Sequence, residues 1–167
     1  YDTVHVLGHS MGGLIATTVA AAFNAPRLVL LAPAFRIAKA GAALSPLIAL
    51  FAPVIKKNRP LPDSETDPGR RALFADYWAD DLPAGVVQLG RLRRQARRDL
   101  LRLHSKVLVL VGASDEVVPA MVAGFVEGRA RGALSFESKV LAGAGHLFPF
   151  DASAAETARI IREWMAK

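Results

Sequence analysis

Thr3-Val4-His5-Val6-Leu7-Gly8-His9-Ser10-Met11-Gly12-Gly13 passes from an apolar, β-branched alternation through a glycine-flanked serine into the Ala- and Leu-rich segment Met11 to Phe23. The pattern predicts a strand over 3–7, a sharp turn at Ser10 and a helix from Met11. Within it Gly8-His9-Ser10-Met11-Gly12 matches G-x-S-x-G, and strand, turn and helix in that order are the setting a nucleophile elbow requires. A serine at so tight a turn occupies a sparsely allowed backbone region with its hydroxyl lifted toward solvent. Side chains two residues to either side would then collide, and glycine at 8 and 12 is expected to remove them. Gly12 and Gly13 would let the helix pack close to the strand. The helix start offers backbone N–H groups to a developing oxyanion, the Met11 N–H being the donor expected there. The bland alternative is a glycine-rich connection that binds an anion or merely joins two elements.

Outward from this turn, further short apolar runs read as strands: 27–31 (Arg-Leu-Val-Leu-Leu), 106–111 (Lys-Val-Leu-Val-Leu-Val) and about 134–141. Near-continuous apolar runs suit a parallel sheet covered on both faces. Met11 to Phe23, Val118 to Ala130 (with Pro119 near a first-turn position) and Ala154 to Ala166 read as crossover helices. Ser153-Ala-Ala-Glu156 has the capping-box pattern, in which Ser and Glu satisfy each other's free backbone donors. The fold class is therefore α/β, with about four parallel strands. Residues 33–82 depart from the βα rhythm. They are expected to form a helical insert, either a lid over the sheet or a second packed subdomain, with Asp67-Pro68 opening a helix that carries Leu73, Phe74, Tyr77 and Trp78.

A serine hydroxyl needs a base, and the base needs an orienting acid. The sequence has four histidines. His5 lies in the predicted first strand and is expected to be packed. His9 should face away from Ser10, since neighbouring side chains at a strand end diverge. His104 ends an arginine-rich helix and is expected at the surface. His146 follows the fourth strand in Ala142-Gly143-Ala144-Gly145-His146-Leu147-Phe148, a glycine-loosened loop at a carboxyl strand end, where open α/β sheets place their ligands. The acid expected is Asp115, in Gly112-Ala113-Ser114-Asp115-Glu116 after the third strand, placed to fix the imidazole tautomer and stabilise its cation. Glu116 and Asp151 are rival acids; Glu116 should point away if Asp115 points in, and Asp151 has a competing role near the cap of the last helix.

In these blocks the chain resembles the α/β-hydrolase family, and within it bacterial carboxylesterases and monoacylglycerol-lipase-like enzymes. The matching residues are Val6-Leu7-Gly8-His9-Ser10-Met11-Gly12-Gly13, Leu28-Val29-Leu30-Leu31-Ala32-Pro33, Gly112-Ala113-Ser114-Asp115-Glu116-Val117-Val118-Pro119 and Ala144-Gly145-His146. The order Ser10, Asp115, His146 is the family's nucleophile–acid–base order. The resemblance implies Ser10 as nucleophile, Asp115 as acid, His146 as base, Met11 as one oxyanion donor and 33–82 as the cap of a single partial domain, 1–167. It covers only the later half of the family's domain: strands that precede the nucleophile strand, and the loop that supplies the second oxyanion N–H, have no counterpart here. The chain is accordingly expected to be the carboxyl-terminal part of a hydrolase. Its first strand would lie at an exposed apolar edge that invites self-association.

Composition narrows the chemistry further. The chain has 167 residues, 52% of them apolar and 22% charged, enough to bury one domain's core. It has no cysteine, so disulfides, thiolate nucleophiles, iron–sulfur clusters and cysteine-ligated zinc are excluded. No cofactor or metal is expected. Ala40 to Ile55, an uncharged apolar stretch, has 16 residues and two prolines, too short for a membrane span. No signal peptide is evident after Tyr1, and a cytoplasmic location is expected, any targeting signal lying upstream. Six Arg and one Lys stand against Asp99 alone between Arg91 and Lys106, the same excess as the +6 of the whole chain. Yet Leu82, Val86, Leu89, Leu92, Ala96, Leu100 and Leu103 step by three or four through this run, which predicts an amphipathic helix with a solvated arginine face rather than a nucleic-acid surface.

The expected function is thus a serine hydrolase that cleaves a small hydrophobic ester through an acyl-enzyme on Ser10. Thioesterase, peptidase and acyltransferase chemistry use the same three residues. The alternative from another class is a non-catalytic, truncated module that associates through its open sheet edge.

Overall fold

A computed structural model describes residues 1–37, 55–56, 80–81 and 83–167. The chain divides into two compact units, 1–39 with 91–167 and 40–90. The first contains a four-stranded sheet, β1 (Val6–His9), β2 (Arg27–Leu31), β5 (Lys106–Gly112) and β6 (Ser135–Leu141), in the order β1-β2-β5-β6. Every pairing in it is parallel, in registers such as Gly8 with Leu30, Leu30 with Val109 and Val109 with Ser138. The described part of the second unit includes a two-residue antiparallel ribbon, β3 (Ile55–Lys56) with β4 (Asp80–Asp81).

The sheet forms where apolar runs can be covered on both faces. Leu28 to Leu31 and Val107 to Val111 are buried throughout, and each such side chain taken from water contributes about 1.5–3 kcal/mol. Helix α1 (Met11–Phe23) packs with Leu14, Ala16, Thr17 and Ala20 inward and ends at Asn24, which takes the left-handed conformation that asparagine tolerates after a helix. Helix α2 (Pro83–Asp99) passes into a 3-10 turn, Leu100–Arg102. Ala96, Leu100 and Leu103 are buried, while Arg91, Arg94, Arg98, Arg102 and His104 are exposed, as the amphipathic spacing predicts. Helix α3 spans Val122–Arg129, and α4 spans Ala154–Met165 with Thr157, Ile160 and Trp164 buried.

Several local expectations are corrected. The first strand is Val6–His9, not 3–7, so His5 precedes it and is exposed rather than packed. β6 is an outer strand of this sheet, and Ser135, Glu137, Ser138 and Lys139 are exposed, because only the interior strands need cover on both faces. α3 begins four residues after Val118. Pro119 lies in the turn before it and its carbonyl accepts from the Val122 N–H. The capping box at α4 does not form: Ser153 makes no side-chain cap bond, and its own N–H is taken by Asp151 Oδ1 at 2.8 Å. The expected helical insert at 33–82 falls outside the described residues except for 33–37, β3 and β4; Phe74, Tyr77 and Trp78 are among those outside.

Candidate active site

Ser10 follows the last residue of β1 and caps α1 with φ 53° and ψ −118°. A non-glycine residue there costs about 1–3 kcal/mol and persists only where its surroundings over-determine it. Here the Ser10 N–H donates to Leu31 O at 2.8 Å, and the Ser10 carbonyl accepts from the N–H groups of Gly13 and Ala34, each at 3.0 Å. Gly8 is required by close approach: a Cβ there would meet the Gly12 carbonyl and lie 2.7 Å from Ala16 Cβ. Gly13 faces Pro33 in the same way, a Cβ lying 2.9 Å from Pro33 Cβ. Gly12 does not fit the expected reason for it, because a Cβ on Gly12 would meet nothing within 4 Å. Met11 is the first residue of α1, a position whose backbone N–H has no intrahelical acceptor.

Asp115 and His146 arrive from the loops after β5 and β6, at the same carboxyl edge of the sheet as Ser10. The loop after β6 that carries His146 crosses close over the end of β5, where a Cβ on Gly112 would strike the Ala144 carbonyl and lie 2.8 Å from Gly145 O. Ser114 N–H donates to Ala144 O at 3.0 Å, tying the two loops together. Gly143, at φ 67°, supplies the left-handed residue that turns the chain out of β6.

The three expected side chains meet in series. His146 Nδ1 lies 2.8 Å from Asp115 Oδ2, and His146 Nε2 lies 3.0 Å from Ser10 Oγ. The Asp115 side chain is 0% exposed and that of His146 6%. Burial by itself would raise the Asp115 pKa. The bond from His146 and those from the N–H groups of Val118 and Val117 to Oδ1, both 2.8 Å, outweigh it and hold the carboxyl below its ordinary value. An ionised carboxylate only accepts, so His146 Nδ1 carries the hydrogen and Nε2 offers its lone pair to the Ser10 hydroxyl. The chemistry open to such a series is withdrawal of the hydroxyl proton as the oxygen attacks an electrophile. Of the rival acids, Glu116 is exposed, and Asp151 is engaged at the start of α4.

His9 makes a contact that the sequence reading did not anticipate. Its Nε2–H donates to the main-chain carbonyl of His146 at 2.9 Å, and its ring lies 5.0 Å from that of His146, 5.7 Å from Phe150 and 6.3 Å from Phe148. His9 is the last residue of β1 and Ser10 follows it, and the loop after β6 bonds both, His9 by the His146 carbonyl and Ser10 by the His146 ring. Phe148 and Phe150 flank the ring, but the bond itself is to a main-chain carbonyl, which no side-chain pattern in the sequence announces. Among the described residues no group of three or more His, Asp or Glu side chains is placed to hold a metal ion, and no helix is long and apolar enough to cross a membrane.

The model of the alpha/beta hydrolase family matches residues 1–160. No curated protein sequence matches the chain. Among solved structures, one described with the metagenome-derived lipolytic enzymes LipS and LipT superposes with a TM-score of 0.77 at 16% identity, over 97% of this chain and 66% of that one. The monoacylglycerol lipase of Paleococcus ferrophilus gives 0.75 at 19%, over 97% and 67%. A soluble variant of monoglyceride lipase from Saccharomyces cerevisiae gives 0.71 at 17%, over 97% and 61%. The chain thus spans about two thirds of the length of these structures.

Proposed function

Because the chain belongs to the alpha/beta hydrolase family, we propose that it is a serine hydrolase of carboxylic esters, with Ser10 as nucleophile, His146 as base and Asp115 as the acid that orients it. The observation that carries this reading is the unbroken series from Ser10 Oγ through His146 to Asp115, at 3.0 and 2.8 Å. Ser10 Oγ attacks the ester carbonyl carbon while its proton passes to His146 Nε2. The negative charge on the former carbonyl oxygen is met by the Met11 N–H, and Asp115 stabilises the imidazolium. Collapse breaks the C–O bond to the alcohol, which leaves with the proton from His146. Water then repeats the sequence on the acyl-enzyme, releasing the acid and free Ser10.

The similarity to structures of lipolytic enzymes and of a monoacylglycerol lipase supports a small hydrophobic ester over a charged substrate. The second reading, a non-catalytic module, draws on the outer edge of β1, where Leu7 is 52% exposed and Ile15 and Phe23 of α1 are also open to solvent. A serine-directed fluorophosphonate separates the two. The hydrolase reading expects one adduct, located on Ser10 and absent from Ser10→Ala; a folded chain that never labels supports the module.

A further inference from the structure

His9 lies outside the series just described yet joins its two ends. β1 and β6 are separated by β2 and β5, three strand spacings or about 14 Å, so the base loop must reach back across the sheet to bring His146 to Ser10. The loop carries Gly143 and Gly145, and its Ala144 N–H to Leu141 O bond is long, at 3.4 Å. It therefore draws its placement from what it touches. At its far end it touches the end of β1 and the turn after it through two adjacent residues: His9 bonds the His146 main chain, and Ser10 bonds the His146 side chain.

We propose that His9 is a positioning residue for the reaction proposed above, its Nε2–H tethering the His146 carbonyl so that the imidazole of His146 stays at bonding distance from Ser10. The proposal rests on the hydrolase reading. A carbonyl oxygen only accepts, so His9 carries its hydrogen on Nε2, and that nitrogen is unavailable to take a proton from Ser10. Ser10, next to His9, is itself held by three main-chain bonds, so the tether ties the base loop to a turn that is already fixed. The edges of Phe148 and Phe150 flank the His9 ring and limit its swing. Misplacement of a base by about 1 Å costs about 100-fold in rate.

Two substitutions separate the tether from mere packing. His9→Phe keeps a ring against Phe148 and Phe150 but has no donor; His9→Gln places an amide N–H near the same point without a ring. The expected result is a fall of about 10- to 100-fold in the fluorophosphonate labelling rate, and in kcat for a soluble ester with KM little changed, for His9→Phe. His9→Gln should recover most of that loss even if it melts at a lower temperature. Equal rates in wild type and His9→Phe, or rates that follow melting temperature across both variants, would overturn the proposal. Nitrogen-15 NMR of the imidazoles supplies a readout independent of turnover: His9 should carry its hydrogen on Nε2, and a hydrogen on Nδ1 would refute the tether. A wild type that never labels rejects the hydrolase reading itself, whereas a wild type that labels no faster than His9→Phe rejects only the role of His9.

Discussion

Ser10, held at φ 53° by bonds to Leu31, Gly13 and Ala34, depends on neighbours whose effects can be told apart one residue at a time. Asp115→Asn should leave the fold intact and cut acylation by about 10⁴-fold, because an amide in place of the carboxylate admits the wrong imidazole tautomer. Asp151→Asn should leave the labelling rate within about twofold of wild type and lower stability by at most about 1 kcal/mol, the scale of a weakened helix cap. The reverse ranking in a labelling time course would transfer the acid's role to Asp151. His9 adds a pH dependence. Burial is the largest influence on its imidazole and lowers its pKa below the ordinary value, against the raising effect of its bond to the His146 carbonyl. The unfolded chain therefore takes up a proton that the folded chain resists. The stability His9 contributes is complete above about pH 6.5 and is lost as pH falls from there toward the lowered folded value. The titratable partners facing it are His146 and Asp115. Thermal melts should show wild type losing stability relative to His9→Gln as pH drops from 7 to 5; parallel curves would contradict this. Ser10, Asp115 and His146 were legible as candidates because each follows a strand with a loop signature of its own. His9 was not, since its partner is a main-chain carbonyl 137 positions away, and no side-chain pattern announces such a bond.

Elements meet at this site through glycines with no room for a methyl group. Gly8 brings β1 against the start of α1, and Gly112 brings the end of β5 against the base loop. Gly112→Ala should displace Ala144 and Gly145, and with them His146, so labelling should fall by about 100-fold or more while most of the sheet survives. Gly12→Ala, with open space around it, should be tolerated in stability; circular dichroism melts of Gly8→Ala and Gly12→Ala, the first several degrees lower, check the contrast. Strand identity was readable from Leu28 to Leu31 and Val107 to Val111, whose apolar runs leave little alternative. Element ends were not. Val118 and Pro119 look like a helix start by propensity, yet the carboxylate of Asp115 accepts the N–H groups of Val117 and Val118 and keeps that stretch in the turn, delaying α3 to Val122. Ser153 and Glu156 spell a capping box, but Asp151 reaches the Ser153 N–H first. In both places a side chain serving the local turn displaced the pattern that sequence spacing suggested.

At the scale of the whole molecule, a parallel sheet brings Ser10, Asp115 and His146 together at the carboxyl ends of β1, β5 and β6, and the position of each after a strand was readable from the motif and loop residues around it. The insert at 33–82 was readable only as a departure from the βα rhythm, because its apolar composition suits a lid and a packed subdomain equally. β1 is an outer strand of the sheet among the described residues, with Leu7 exposed on it and Ile15 exposed on α1 beside it. The central claim is that Ser10 carries the acyl group. It is tested most directly by mixing the chain with an activated short-chain ester, quenching in acid within the first turnover and mapping the added mass. The account predicts an acyl group on Ser10 that disappears on further incubation in water and does not form in His146→Ala. Hydrolysis without an adduct at Ser10, or an adduct that forms equally fast without His146, would contradict it.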